Sequence, residues 1–508
     1  MLKTRKQRCT FITSVVAVVL LFVTLLLATY GIPTIVTDVM ESNLRLEDGS
    51  MAWDVFEEVP FPLDFKIYFF EVENTDKMLT GEEAPKLREI GPYVYNERRY
   101  KTGIKLDGDL VEYRQRQDFS FDRERTDDSL TPDDKITTIN PLVWGIYQYM
   151  ESTGMKLPLD LKSALSQILD ESELIQKLVV KDILFGGIPF CDPAKTKWEG
   201  KLLCLVFMFM NVKVVEYKDD GSMIYSLLRF KSETDDGLYV AKRGIDDISQ
   251  IGKIMSWNGL TSVDFWPGGE EASCNKVEGR DISIYPPYIK KGETFKLYAS
   301  DMCRTAEIIF DGEGTYKDLD TYDYVVNKRL FYPEDGEKAE DSCYCAKKTR
   351  GMDGEESCFL DGALDVQTCF GMPALLSLPH FLYADKKYLD AVENLKPDIE
   401  KHNLVMRLQP LLGFPVVGNR RIQMNMVVRP MLYGGEMIEE TAKVSRSLLP
   451  LMWFDEGIEL NNYYYDLLDV ALYVMKVADI IKWVLVGLAA IMLLISGSFY
   501  IYFWRTGR

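Results

Sequence analysis

The apolar residues of this chain are concentrated at its two ends. Residues 11–31 and 483–503 contain no charged side chain, whereas charged residues recur throughout the segment between them. A helix of about 20 apolar residues is long enough to cross the hydrocarbon core of a bilayer. The pattern therefore predicts transmembrane helices at 11–31 and 483–503, which flank one large domain at 32–482.

The charges beside the two apolar segments predict their orientation. Basic residues lie on the side of the chain termini, in tails at 1–10 and 504–508, and acidic residues lie on the opposite side. By the positive-inside rule, both tails are cytosolic and the large domain is outside the cell or in a lumen. A cleaved signal peptide is the alternative for the first segment. Its apolar run, however, exceeds the usual length of roughly 7–15 residues, and no clear cleavage site follows.

Alternating apolar and polar positions predict antiparallel strands in much of the large domain. The alternation is clear between residues 53 and 130, and it returns after residue 200, for example at 293–300 and 421–430. A period of two is typical of a strand with one buried face. The apolar run at 202–217 is also predicted to form a strand.

Apolar residues spaced three or four apart predict three short helices between residues 141 and 186. The first helix begins at Asn140–Pro141, the second covers 159–169, and the third covers 170–185. Amphipathic helices usually bury their apolar stripe within their own domain. The alternative is that this apolar face is open to a ligand or a partner.

Nine cysteines are distributed unevenly along the chain. Six of them lie between residues 274 and 369, and such an even cluster in an exterior compartment is typical of disulfides, with fifteen pairings open. A zinc site is the rival, but a one-residue spacer and the lack of a histidine in the cluster argue against it. Cys191 and Cys204 are candidates for a fourth bridge, and their pairing stays open. Cys9, in the cytosolic tail, is a candidate for palmitoylation.

Composition and motifs count against several classes of function. The 508 residues include 59 Lys+Arg and 78 Asp+Glu, a formal charge of −19, which excludes broad nucleic-acid binding. Only two histidines are present, and His380, in an apolar stretch, is expected to be a hydrogen-bonded structural residue. Nucleotide-binding, metalloprotease and hydrolase motifs are absent from the sequence. We therefore expect no enzyme, no catalytic or metal-binding residue and no cofactor.

Several motifs together resemble one protein family. In chain order they are PFPLDFKIYFF at 60–70, Gly91-Pro92-Tyr93, Tyr285-Pro286-Pro287-Tyr288, Asp301-Met302-Cys303-Arg304 and SLPHFLYA at 377–384. Their order and spacing, between two apolar ends, resemble the class B scavenger receptors, the family of the fatty-acid translocase and the lysosomal integral membrane protein. Segments 60–70 and 181–189 are most similar to the insect sensory neuron membrane proteins.

The resemblance implies an α+β fold with an antiparallel β-barrel-like core, a helical apex at 141–186 and an apolar tunnel. In the disulfide-rich region 274–369 it implies the pairs Cys274–Cys343, Cys303–Cys369 and Cys345–Cys358. A ligand entrance is expected on the apolar faces of the apical helices. The candidate residues are Ile146, Tyr149, Met150, Leu161, Leu165, Ile168, Leu174, Leu178 and Phe185.

Members of the resembled family pass lipophilic molecules to the bilayer or to a neighbouring receptor. The resemblance implies a plasma-membrane receptor or co-receptor for long-chain pheromones or fatty-acid derivatives, which include aldehydes, acetates, alcohols and fatty acids. Its expected partners are membrane lipid, an odorant receptor complex and a pheromone-binding protein. Two features depart from the family. Residues 169–173 are acidic where lipoprotein-binding members carry lysines, and no Asn-x-Ser/Thr sequon is present. The short tail lacks a sorting signal, which favours the plasma membrane over the lysosome.

Three other functions remain open at this stage. A general scavenger or fatty-acid uptake receptor in support cells fits the same family. A two-span ligand-gated channel shares the topology, and Ser496-Gly497-Ser498 resembles a narrow pore-lining motif, although small residues also let membrane helices approach closely. Pure adhesion or scaffolding predicts no bound lipid. Ion current, the cell type of expression and lipid content distinguish these functions.

Overall fold

A computed structural model describes residues 5–210, 212–333, 344–345, 349–371 and 373–506. The chain divides into two units. The smaller unit consists of the two ends of the chain, up to Trp53 and from Leu460, and the larger unit is Asp54–Glu459. In the described residues, the smaller unit contains helices, and the larger unit contains helices and all of the strands.

Long apolar helices form most of the smaller unit. Two stretches, Phe11–Leu44 and Asn462–Phe499, are long and apolar enough to cross a membrane, and most of their surface is exposed. The helices extend beyond the predicted spans, since helical structure continues to Leu44 and begins at Asn462. They contact each other where Ser496 Oγ donates to Ser14 Oγ at 3.0 Å. Small residues at this crossing allow close packing.

The helices of the described residues are of three types. The α-helices are Arg5–Leu26, Ile32–Leu44, Met51–Glu57, Thr75–Thr80, Pro141–Thr153, Leu161–Ile168, Trp198–Met210, Arg229–Glu233, Gln367–Phe370, Lys386–Asp390, Ile399–His402 and Asn462–Thr506. The 3-10 helices are Ile248–Gln250, Ser273–Asn275, Lys328–Phe331, Pro379–Phe381 and Glu439–Thr441, and the π-helices are Leu27–Gly31 and Asp182–Gly186.

Eleven strands of the larger unit form one continuous antiparallel sheet. They are Leu63–Val72 (β1), Leu87–Asp107 (β2), Leu110–Phe121 (β3), Leu238–Lys242 (β4), Ile254–Trp257 (β5), Phe295–Ala299 (β6), Arg304–Tyr316 (β7), Leu319–Val326 (β8), Val405–Gln409 (β9), Phe414–Val428 (β10) and Ser447–Glu459 (β11). In space their order is β5-β4-β3-β2-β1-β11-β10-β9-β8-β7-β6. Each strand therefore lies beside its neighbour in the chain, apart from β5 and β6, and β1 lies beside β11.

A short bridging segment closes this sheet into a barrel-like structure. The two strands at the ends of the order, β5 and β6, are joined through Gly279 and Arg280. Ile254 N donates to Gly279 O at 2.9 Å, and Arg280 N donates to Lys296 O at 2.9 Å. Tyr298 N in turn donates to Arg280 O at 3.2 Å. Closure leaves few unpaired backbone groups at the sheet edges.

The remaining strands form small sheets or extend the barrel wall. They are Lys135–Ile139, Ile175–Val179, Ile188–Phe190, Val215–Tyr217, Met223–Tyr225, Thr349–Arg350, Glu356–Ser357, Leu364–Asp365, Leu375–Ser377, Leu432–Tyr433 and Glu436–Met437. Leu375–Ser377 pairs with β10 and with Leu364–Asp365. The predicted α+β fold class, with two apolar terminal helices around an antiparallel barrel-like core, is confirmed.

Two predictions about the helical region were wrong. The third predicted helix, 170–185, is instead the strand Ile175–Val179, which pairs with Lys135–Ile139 and is followed by a π-helical turn. The strand pairs with residues that lie more than thirty positions earlier in the chain, whereas the spacing of Leu174 and Leu178 is that of a helix. The apolar run predicted as a strand at 202–217 lies mostly in the helix Trp198–Met210. Its long apolar run has no alternation, and length favours a helix in such runs.

The first two predicted helices are present, and side-chain caps position them. Asn140 Oδ1 accepts hydrogen bonds from the backbone of Leu142 and Val143, and Gly154 ends the helix in the left-handed conformation. Asp160 caps the second helix by accepting from Ser163 N. Such caps satisfy amide groups that have no partner within the helix.

Three disulfides join described cysteines. They are Cys191–Cys204, Cys303–Cys369 and Cys345–Cys358. The last two are pairs that the family resemblance implies, and the first is the fourth bridge that the sequence left open. The implied partner of Cys274, Cys343, lies outside the described residues. Cys9 is exposed and forms no disulfide, so its palmitoylation stays a prediction.

The closing segment provides a test of the barrel. Gly279 has φ +109°, and a Cβ there would lie 2.7 Å from Lys296 O. We expect Gly279→Ala to lower the free energy of unfolding by about 2 kcal/mol or more, because it combines a strained backbone with a clash at the closure. Thermal unfolding of the purified full-length chain measures this loss.

A second glycine supplies the matched control for this prediction. Gly292 also has a positive φ, +82°, but nothing lies within 4 Å of its built Cβ. Gly292→Ala is therefore expected to lower the free energy of unfolding by only about 1 kcal/mol, from the strained backbone conformation alone. Equal losses in the two variants would contradict the proposed importance of the closure.

Candidate ligand cavity

An apolar pocket lies between two helices of the larger unit. Residues of Pro141–Thr153 and Trp198–Met210 enclose a volume of about 10 Å³, which has room for about one water molecule. The lining residues are Leu142, Gly145, Ile146, Tyr149, Met150, Val206, Phe207 and Met210. Apart from the Tyr149 hydroxyl, these side chains offer only apolar contacts.

The structure brings together three of the nine predicted entrance residues. Ile146, Tyr149 and Met150 line this pocket. Five others are buried in the main hydrophobic core: Leu161, Leu165, Ile168, Leu174 and Leu178. Phe185 packs its ring against Tyr95 and Phe119, with centroids 5.2 Å away in each case. These six side chains therefore pack against the protein interior and do not line the pocket.

Sequence reasoning missed the other wall of the pocket. Val206, Phe207 and Met210 belong to the segment that was predicted as a strand, so they were not considered as lining residues. Their helix also exposes apolar side chains, among them Phe209, which is 82% exposed. The length of the apolar run is the one signal that could have identified this helix.

A second and larger cavity lies inside the barrel. Its volume is about 130 Å³, and ten of the eleven barrel strands contribute lining residues. One part of the lining is apolar and consists of residues such as Leu297, Ile308, Val326, Met406 and Ile458. A largely apolar cavity with a few polar groups is typical of sites for small lipophilic molecules.

A buried network of charged side chains forms the polar wall of this cavity. Arg99 donates to Glu97 Oε1 through Nε at 2.9 Å, and it also pairs with Glu456. Arg420 pairs with Glu456, at 2.9 Å through Nε, and with Asp301. Lys231 is the last member of this network, and its Nζ lies 3.4 Å from Asp301 Oδ2.

The order of charges in this network sets the ionisation of its carboxylates. Burial raises the pKa of Glu456, but Arg420 and Arg99 outweigh burial and lower the pKa to about 2. Burial likewise opposes ionisation of Asp301, and Arg420 and Lys231 hold its pKa well below the usual value. For Glu97 burial prevails over Arg99, and its pKa is raised. Two of the three carboxylates in the contact chain are thus firmly ionised at neutral pH.

Both histidines of the chain lie together, outside this cavity lining. The rings of His380 and His402 stack with centroids 4.2 Å apart. His380 Nε2 lies 2.6 Å from Glu89 Oε2, which also accepts from Trp453 Nε1 at 2.8 Å. Backbone N–H groups donate to Nδ1 of each histidine, from Lys396 to His380 and from Asp398 to His402. His380 thus has the hydrogen bonds of a structural residue.

Comparison with known proteins places this architecture in a family. A model of the CD36 family matches residues 14–500. The chain belongs to the CD36 family. The resemblance to the class B scavenger receptors is thereby confirmed.

Several curated relatives of this CD36-family protein match it over most of their length. It is 28% identical to Sensory neuron membrane protein 2 of Anopheles gambiae, over 97% of this chain and 93% of that protein. The identity to Sensory neuron membrane protein 2 of Manduca sexta is 30%, over 94% of this chain and 91% of that protein. The identity to Sensory neuron membrane protein 1 of Ostrinia nubilalis is 26%, over 90% of this chain and 83% of that protein.

Family membership and the terminal helices together define the class of protein. The chain is a membrane protein with two spans, and its relatives are named as membrane proteins of sensory neurons. No cluster of metal-ligating side chains is found among the described residues. The candidate site of this CD36-family protein is therefore the barrel cavity, together with the apolar pocket between the helices.

The histidine pair predicts an acid-sensitive fold. Burial and the neighbouring His380 lower the pKa of His402 to about 4. The unfolded state therefore binds more protons than the folded state at acidic pH. The stabilisation of the folded state by neutral His402 is complete above the ordinary pKa of about 6.5 and is lost as the pH falls towards 4. We expect a loss of about 1–2 kcal/mol in unfolding free energy between about pH 7 and pH 5.

Thermal unfolding of the full-length chain and of His402→Asn at the two pH values checks this prediction. The asparagine side-chain oxygen is able to accept the Asp398 N–H but does not titrate, so the variant should show a flatter pH dependence. The pH range is chosen above the titration of Glu89, whose pKa is lowered because hydrogen bonds from His380 and Trp453 outweigh its burial. If the unfolding free energy of both proteins changed equally between the two pH values, His402 would not be the cause of the acid sensitivity.

Proposed function

We propose that this protein is a plasma-membrane receptor or co-receptor that binds lipophilic long-chain molecules and passes them to the membrane or to a neighbouring receptor. The single observation that supports the proposal most strongly is the barrel cavity, with its extended apolar lining. Relatives named sensory neuron membrane proteins make a sensory role the favoured setting. An odorant receptor complex and a pheromone-binding protein are the proposed partners, with the large unit outside the cell.

The energetics of apolar burial support a conduit. Each buried methylene group contributes about 0.8 kcal/mol, so a chain of roughly 12 to 18 carbons binds without any charged contact. Transfer from the cavity to a bilayer exchanges one apolar environment for another and is nearly neutral. A protein with such a cavity is therefore able to hold a lipid and also to release it.

Blocking the cavity tests the proposal. Ala299 lies in the cavity lining at the end of β6. We expect Ala299→Phe to reduce transfer of a fluorescent long-chain alcohol into cells that express the full-length protein, by about fivefold or more, because the larger ring occupies the path of the ligand. Cellular fluorescence, normalised to surface expression, measures the transfer.

The matched control is Ala391→Phe, another half-buried alanine that lies outside the cavity lining. Both variants are first compared by thermal unfolding, so that loss of folding is separated from loss of transfer. Equal transfer by the wild type, Ala299→Phe and cells without the protein would refute the conduit. Ligand-dependent ion current without transfer would favour the channel instead, and uptake confined to support cells would favour the general scavenger.

A further inference from the structure

A third pocket of the larger unit is polar, and it shares no lining residue with the barrel cavity. This polar pocket is formed by the helix Pro141–Thr153, the end of β10, the hairpin 349–357 and the strands Leu364–Asp365 and Leu375–Ser377. Its volume is about 140 Å³. Cavities of roughly 150 Å³ hold a molecule the size of benzene, so the polar pocket has room for a small molecule.

The cationic side chains of the polar pocket already have partners within the protein. Arg429 is 3% exposed and donates to Glu151 Oε1 at 3.1 Å and to the carbonyl oxygen of Gly351 at 2.9 Å. Arg350 donates through Nε to the carbonyl oxygen of Gly354 at 2.6 Å. Both guanidinium groups are therefore engaged by acceptors of the protein.

Three acceptor oxygens of the lining have no hydrogen-bond partner among the described residues. They are Asp365 Oδ2, Gln148 Oε1 and Gln367 Oε1. In each side chain the other polar atom is already used. Asp365 Oδ1 accepts from Gln367 N at 2.9 Å. Gln148 Nε2 donates to Val427 O at 2.8 Å, which fixes the position of its oxygen. Gln367 Nε2 donates to Ser152 Oγ at 3.2 Å.

These three oxygens remain accessible to a molecule in the polar pocket. None of them is among the unpartnered side-chain atoms that the protein encloses completely. Gln148 is only 8% exposed, and Asp365 and Gln367 are half-buried. All three side chains line the pocket, so their remaining surface is directed towards it. Buried polar groups normally have a partner, and three open acceptors around one small volume point to a ligand with several donors.

The polar pocket also has an excess of negative charge. Its described lining contains three carboxyl groups, those of Glu151, Glu356 and Asp365, against the two guanidinium groups of Arg350 and Arg429. Glu151 pairs with Arg429, whereas Asp365 has no cation within ion-pair distance among the described residues. Burial raises the pKa of Asp365 to about 6, so the carboxyl group is charged at neutral pH. Water is able to fill the hydrogen bonds of the pocket, but it does not balance this charge.

We propose that the polar pocket is a second binding site, for a small molecule that carries a primary ammonium group. Such a group is a cation with three N–H donors and no acceptor. It therefore matches the unpaired carboxylate of Asp365 and the amide oxygens of Gln148 and Gln367. Charge-assisted hydrogen bonds of this kind are stronger than those between neutral groups. The site is separate from the barrel cavity and does not depend on the proposed receptor function.

Calorimetric titration of the full-length protein in phosphatidylcholine nanodiscs tests this site, with empty nanodiscs as the blank. The probes are propylammonium, propanol and propanoate, which have similar sizes and different charges. At about pH 7.5 we expect saturable binding of propylammonium, at least about tenfold tighter than that of propanol, and no binding of propanoate. Binding of propanol as tight as that of propylammonium, or preferred binding of propanoate, would overturn the proposal.

A pair of aspartate variants locates the bound ammonium group. Asp365→Asn removes the charge but keeps an oxygen for the N–H of Gln367, and it should weaken propylammonium binding at least about tenfold. Asp385→Asn is the matched control, because Asp385 is also half-buried and accepts from the backbone N–H of Lys387 at 2.8 Å, but it does not line the pocket. Thermal unfolding first shows that both variants are folded. Equal weakening in the two variants would overturn the assignment to this pocket.

The pH dependence of binding is an independent readout. The ammonium group pairs with ionised Asp365, so protonation between about pH 7.5 and pH 5 should weaken propylammonium binding roughly tenfold. The other charged groups of the lining, Glu151, Glu356, Arg350 and Arg429, are unchanged in Asp365→Asn. This variant therefore measures their contribution and should show a much smaller pH dependence. The same pH dependence in the wild type and in Asp365→Asn would overturn the role of Asp365.

Discussion

An antiparallel sheet closed from eleven strands encloses more space than its own side chains fill. Barrels of about eight strands are filled by inward side chains, whereas wider ones hold a ligand, a helix or a channel. In this protein the strands follow one another around the barrel in chain order, and Gly279 and Arg280 complete the circuit. The cavity is therefore a consequence of strand number and closure, and its lining residues determine only what it accepts.

The same closure brings charged residues from distant parts of the chain into a buried wall. Arg99, Glu456, Arg420 and Asp301 come from separate strands or loops and alternate in sign along their contacts. Desolvation offsets much of the attraction between buried ions, so such networks add little net stability, although removing one partner is costly. We interpret the network as a constraint on which strands become neighbours, since any other register would leave a buried charge unpaired.

The sequence was informative where a signal is local, and uninformative where the structure depends on distant partners. Apolar ends, alternating strands and the caps at Asn140 and Asp160 are local features, and the structure contains them. The strand Ile175–Val179 depends on its pairing with residues 135–139, which a helical spacing of leucines concealed. Gln117, Tyr298 and Arg420 line one cavity although more than a hundred residues separate each from the next, so no spacing rule could identify them as a site.

The apolar contribution to binding cannot by itself make this protein selective. A hydrocarbon chain gains about the same free energy in the cavity as in the bilayer, because both remove it from water. Differences between ligands must then arise from cavity shape and from polar contacts in the lining. Among the polar contacts of the lining, Arg99, Arg420 and Lys231 are each paired with a carboxylate of the protein. Selectivity among lipophilic ligands would therefore have to come from these few polar groups rather than from the much larger apolar surface.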